Sequence, residues 1–186
     1  VKVTDWFRMD ANLTLSMNRA VDYTFSDFAD GDSINRIITI NPDGTADTTW
    51  TSLNVTRNTP LALSPSVIGA AIATFTPFKD AKLQVIGKYV GKQYADNTGR
   101  EVYAIDPYFL LNLKASYTWH LKGTNEIEAQ LVVNNVLNHQ YRLSAWAGDW
   151  NYADDDKNPS VYYNFHDRAW LQQPGINFMG RVIYRF

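Results

Sequence analysis

The sequence predicts an all-β chain: about six antiparallel strands in a meander, forming a transmembrane β-barrel segment that is incomplete as a barrel on its own. Three observations predict it. Apolar and polar residues alternate with period two in six stretches, as side chains on opposite faces of a strand do. Tight turns near residues 4–7, 77–80 and 121–125 alternate with longer polar connections at about 26–63, 93–107 and 139–174, the plan of a barrel with short turns at one rim and long loops at the other. Aromatics gather at both strand ends, with Trp6, Phe75, Tyr117 and Trp119 at the tight-turn end and Tyr23, Tyr89, Phe109 and Tyr141 at the other. The residues between are mostly aliphatic, which matches the girdles of a membrane barrel.

Each stretch carries the pattern in its own way. Residues 8–25 set Leu13, Leu15, Met17, Val21, Tyr23 and Phe25 against Asn12, Thr14, Ser16, Asn18 and Asp22. Residues 65–76 are apolar on both faces, and Pro77-Phe78-Lys79-Asp80 turns the chain into 81–92, where Leu83, Val85 and Tyr89 oppose Lys82, Gln84 and Lys88. Residues 108–120 and 126–138 alternate across the short, turn-rich link Leu121–Asn125. The last stretch runs from Ile176 to Phe186, with Phe178, Val182, Tyr184 and Phe186 on one face and Arg181 and Arg185 on the other. Within the first long connection, Ile34–Ile40 and Thr48–Arg57 flank an Asn-Pro-Asp-Gly turn and read as a hairpin.

Composition narrows the function classes. The 186 residues carry a net charge of −2, so no basic surface argues for nucleic acid. Charged residues make up 19%, below the usual ~25%, while 6 Trp, 11 Tyr and 9 Phe make the chain rich in aromatics. Cys is absent, which removes disulfides, zinc–thiolate sites and thiol catalysis. No apolar run approaches the ~20 residues of a membrane helix, so any crossing would be made by strands. Single-chain bacterial barrels start at about eight strands, so six strands read as part of a larger wall.

Four segments in order carry a resemblance: Ser64–Gly69 leading to Thr76–Lys79, Lys88–Tyr94 with Asp96-Asn97-Thr98, Val133–Tyr141, and Gln173–Phe178 running to the terminal Phe186. Together they resemble the C-terminal part of the β-barrel of TonB-dependent outer-membrane receptors, Bacteroidetes-type. The resemblance implies that residues 1–186 are the last strands of such a barrel, with the plug domain and the TonB box absent. It also implies the outer membrane of a Gram-negative bacterium, and active import of a scarce, bulky nutrient of the siderophore, cobalamin or oligosaccharide class. The partners it implies are outer-membrane lipid, the plug of the same protein, TonB–ExbB–ExbD through the missing N-terminal region and, in some members, a surface lipoprotein. Phe178, Val182, Tyr184 and Phe186 would be its outer-membrane terminal signature. Two other readings stand beside it: a complete small outer-membrane barrel of structural or adhesive role, and a soluble carbohydrate-binding β-sandwich.

No catalytic set emerges, and the chain is read as a non-enzyme without cofactor or metal. Ser144, His139 and Asp149 lack the context of a nucleophile elbow, and the three His have no metal-ligand spacing. Asp154-Asp155-Asp156 reads as a solvated acidic run rather than a calcium loop. The best ligand-facing element is residues 142–173. There Trp146, Trp150, Tyr152, Tyr162, Tyr163, Phe165 and Trp170 supply rigid amphipathic surface, and Asp149, His166, Asp167 and Arg168 supply polar handles. Rings with nearby polar groups can grip an apolar or sugar-like ligand.

Overall fold

A computed structural model describes residues 1–29, 33–50, 54–154 and 158–186. In chain order its strands are β1 (Phe7–Leu15), β2 (Arg19–Ser26), β3 (Ser33–Ile40), β4 (Ala46–Trp50), β5 (Asn54–Pro60), β6 (Val67–Phe75) and β7 (Ala81–Val90). They continue with β8 (Gln93–Tyr94), β9 (Ala104–Ile105), β10 (Tyr108–His120), β11 (Glu126–Asn134), β12 (Arg142–Asp154), β13 (Asn158–Gln172) and β14 (Asn177–Arg185). A 3-10 turn spans Glu101–Tyr103.

Period-two alternation produces one six-stranded antiparallel sheet, in the order β1-β6-β7-β10-β11-β14. Its register places like residues together. Leu13 pairs with Gly69, Val85 with Ala73 and Leu113, and Leu131 with Ala115 and Gly180, so the apolar side chains share a face. That face stays open: Leu13, Leu131 and Phe178 are 66%, 50% and 80% exposed. The opposite face carries a polar ladder in which Arg185 pairs with Glu128 and Glu126, and His120 sits between Asp80 and Glu126.

The barrel expectation fails on this topology. Closure requires the last strand to pair with the first, but β1 and β14 stand at opposite ends of the sheet, and neither pairs with the other among the described residues. The sheet is therefore open and encloses no lumen. Residues 1–3 fold back on the outer side of β1 through a Lys2–Arg8 bridge. Phe178, Val182, Tyr184 and Phe186 lie exposed on or just beyond the edge strand β14. Alternation predicts which residues are strands and which face they share, and any half-exposed antiparallel sheet produces it, so it carries no information about closure. Among the described residues no helix is long and apolar enough to cross a membrane.

The long connections hold structure of their own. The stretch 8–25 breaks at Ser16-Met17-Asn18, and β2 turns away to pair with β5. β3 and β4 form a hairpin across Asn41–Gly44, but the expected second arm Thr48–Arg57 is divided, since β4 ends at Trp50 and Asn54–Arg57 lies in β5, which pairs with β2. Arg142–Asp154 and Asn158–Gln172, read as a loop, are instead the long antiparallel pair β12–β13, whose outer part pairs with β3 through Val161–Tyr163. Most of the buried apolar side chains lie where this hairpin meets the 93–105 segment and β2: Tyr103, Ile105, Tyr108, Phe25 and Phe28.

Candidate functional site

The register of β12–β13 sorts the candidate residues onto two faces. Trp146 pairs with Ala169, Gly148 with Asp167, Trp150 with Phe165 and Tyr152 with Tyr163, so Trp146, Asp167, Trp150, Phe165, Tyr152 and Tyr163 share one face. Asp149 pairs with His166, Ala147 with Arg168 and Ala145 with Trp170, which puts Asp149, His166, Arg168, Trp170 and Tyr162 on the other. The side chains of Asp154–Asp156 lie outside the described residues.

The second face packs inward and forms a polar knot. Asp96-Asn97-Thr98 makes a turn in which Thr98 donates from N–H and hydroxyl to the Asp96 carboxylate. Gly99 follows at φ +70°, where a Cβ would meet the Pro60 ring at 2.7 Å, so only glycine fits both the backbone and the space. The 3-10 turn then sets Arg100 and Tyr103 three residues apart, on one side of the chain. Arg100 Nη1 donates to both Asp149 oxygens at 3.1 and 3.2 Å. The Tyr103 hydroxyl donates to Asp149 Oδ1 at 2.5 Å, with the Gly148 carbonyl in reach at 2.8 Å. His166 Nδ1 lies 3.0 Å from Asp149, and its Nε2 donates to the Phe28 carbonyl at 3.0 Å. The Phe28 ring stacks on His166 at 4.4 Å, and the Arg100 guanidinium lies over Phe25 and Phe28 at 5.1 and 4.9 Å.

Electrostatics and burial say what the knot does. Burial alone would push the Asp149 carboxyl up, but the bonds from Tyr103, His166 and Arg100 outweigh it and hold Asp149 below the ordinary carboxylate range. Burial, then the bond to Asp149 and its charge, push the Tyr103 phenol up. Arg100 and Tyr103 are 8% and 0% exposed, so the knot ties the hairpin to the 93–105 segment rather than facing solvent. Because its pKa is depressed on folding, Asp149 contributes stability above the unfolded carboxylate pKa of about 3.9, and loses it as pH falls through its own lower value. The stability gap between the wild type and Asp149→Asn, measured by denaturant titration, is therefore expected to be constant above pH 5 and to shrink below about pH 4. A gap that does not change with acid would show that the carboxylate charge has no role there.

Sequence reasoning missed Arg100 and Tyr103, since their partners lie more than forty residues away and no periodic pattern marks a three-residue turn. Ser144 and His139 do not assemble with Asp149, whose imidazole partner is His166. Among the described residues no group of acidic or His side chains is placed to hold a metal.

The outward face is an aromatic platform. Trp146, Trp150 and Tyr152 are 59%, 47% and 57% exposed and lie on the same face, Trp150 and Tyr152 roughly 7 Å apart along the strand and Trp146 roughly 13 Å from Trp150, with Gly148 between them. Trp150 stacks on Phe165 at 5.0 Å and meets Tyr152 edge-on at 6.5 Å. The six-membered ring of Trp146 lies against Gly148, where a Cβ would come within 3.0 Å of the indole. The exposed Asp167 pairs with Gly148, the register position midway between Trp146 and Trp150, and one of its carboxylate oxygens is held by the Arg168 N–H. Arg142 and Arg168 flank Trp170 on the other face at 4.5 and 5.8 Å.

No protein-family model, curated protein or solved structure matches this chain. The expected resemblance to TonB-dependent receptors is therefore corrected: four short segments in order, each weak alone, found no counterpart. What that resemblance implied falls with it and with the open sheet. Nutrient import through a barrel, an outer-membrane location, and partnership with lipid, a plug, TonB–ExbB–ExbD or a surface lipoprotein do not follow from a sheet that encloses no channel.

Proposed function

We propose that this chain is a carbohydrate-binding β-domain that holds a neutral oligosaccharide on the outward face of β12–β13. The observation that carries the reading is the row Trp146, Asp167, Trp150, Tyr152, in which exposed rings flank one carboxylate. Pyranose rings present an apolar C–H face, which packs on an indole and buries apolar area. Their hydroxyls donate to a carboxylate, and a charge-assisted bond of that kind is among the stronger ones. The inward knot supports binding by holding the hairpin rigid, so that little ordering entropy is lost when a ligand docks. The domain is not the sandwich that such modules were expected to form, because the six-stranded sheet keeps its apolar face open.

The test is titration calorimetry of the 186-residue chain against a panel of neutral oligosaccharides. Trp150→Ala is expected to weaken the best ligand at least tenfold, equivalent to about 1.4 kcal/mol, with thermal stability nearly unchanged because the ring is half exposed. Unchanged affinity in Trp150→Ala and Asp167→Asn together, or no binding by the wild type across the panel, would refute the platform.

A further inference from the structure

A separate concavity of about 190 Å³ lies at the base of the hairpin, lined by Asp106, Tyr108, His139, Tyr141, Arg142 and Gln172. It belongs to neither the platform nor the knot. Drug-sized ligands occupy pockets of ~300 Å³ or more, so this one is limited to a single ring. Its walls are held from outside. Asn135 accepts from the His139 N–H at 3.0 Å and donates to the His139 carbonyl at 2.8 Å, and the Gln173 N–H donates to the Tyr141 carbonyl at 3.1 Å. Tyr108 and Tyr141 pack ring to ring at 4.6 Å.

The polar side chains of this pocket are unspent. Tyr108 is 4% exposed, yet its hydroxyl has no hydrogen-bond partner among the described residues, and neither do the side chains of Asp106, His139 and Gln172. The Tyr108 hydroxyl is not among the buried polar atoms left without a partner, so it reaches solvent at the pocket and can donate to whatever enters. Burial and the neighbouring Tyr141 push the Tyr108 phenol up, so it stays neutral and able to donate. The Arg142 guanidinium lies over the Trp170 ring at 4.5 Å, and among the described residues its N–H groups have no acceptor.

We infer that this pocket is a second sugar site, sized for one pyranose ring, in which Asp106 accepts from ring hydroxyls while Tyr108, Arg142 and Gln172 donate to ring oxygens. An acceptor and several donors around one small opening suit a ligand whose groups both donate and accept, as vicinal hydroxyls do. The inference takes its ligand class from the platform reading but shares none of its residues.

Ligand-observed NMR with glucose, galactose and mannose tests it on the full chain. Wild type is expected to bind one of them in the millimolar range. Asp106→Asn and Tyr108→Phe, which keep the shape of the pocket, are each expected to weaken it at least tenfold, while Trp150→Ala leaves it intact. Equal binding by wild type and both pocket variants, or no monosaccharide binding by the wild type, would overturn the second site. Loss of monosaccharide binding in Trp150→Ala would overturn it too, since the ring would then sit on the platform. If Trp150→Ala spares oligosaccharide binding while the pocket variants lose the monosaccharide, the platform fails and the pocket stands.

Discussion

Asp149→Ala is expected to destabilise the protein by about 3 kcal/mol. Breaking a buried ion pair by removing one partner costs about 3–5 kcal/mol, because the remaining charge is left uncompensated. Here that remaining charge is Arg100, whose side chain is 7% exposed and whose Nε and Nη2 already lack hydrogen-bond partners. Among the described residues the other carboxylate in ion-pair range of Arg100 is Asp27, with Oδ1 3.7 Å from Nε, beyond hydrogen-bond distance. The substitution also strips acceptors from Tyr103 and His166. The lower end of the range applies because the Asp149 side chain is 34% exposed, so water can enter and repay part of the loss. Denaturant titration measures it, with Asp149→Asn as the companion that keeps an acceptor and shape and is expected to lose about half as much. A loss below 1 kcal/mol would show that the hairpin does not depend on the knot.

Asn135→Ala is expected to cost about 3–4 kcal/mol, for a different reason. Asn135 is 3% exposed at φ +51°, a left-handed conformation that asparagine tolerates and alanine does not, worth about 1 kcal/mol. Its side chain makes three bonds, accepting from His139 N–H and donating to the carbonyls of His139 and Pro174 at 2.8 and 3.3 Å. Each lost bond that leaves a buried group unpaired costs about 1 kcal/mol or more. Asn135→Gly separates the two contributions, since glycine restores the backbone but not the bonds. It is expected to recover about 1 kcal/mol of the loss in the same titration. Because Asn135 holds His139 from both sides, both variants are also expected to weaken the proposed monosaccharide site.

The strands of the main sheet were legible because their order is local. Residues 108–120 alternate through to both ends, and β10 has those same bounds. The pattern over 126–138 stops at Asn134, since Asn135 leaves the strand for a positive φ, a change that hydrophobic periodicity does not register. The β12–β13 hairpin was illegible as strands for the opposite reason. Aromatics and polar residues occupy both of its faces, one turned to solvent and one to the Arg100 knot, so no clean alternation survives. Its ring-rich character was still readable, and Trp146, Trp150 and Tyr152 lie on one exposed face as a ligand-gripping element would need. The knot was only half readable. Asp149 and His166 stood out as polar handles, whereas Arg100 and Tyr103 join them only through long-range packing. Closure depends on where the first and last strands meet, and nothing in a single strand reports that.

The platform is tested most directly by the indole N–H signals of the tryptophans in a nitrogen–proton correlation spectrum, followed during addition of the best-binding oligosaccharide. The account predicts that Trp146 and Trp150 shift together with ligand concentration while Trp6, just before β1, and Trp119, on β10, stay fixed. Shifts confined to Trp6 and Trp119, or a ligand that binds with Trp146 and Trp150 unmoved, would contradict it.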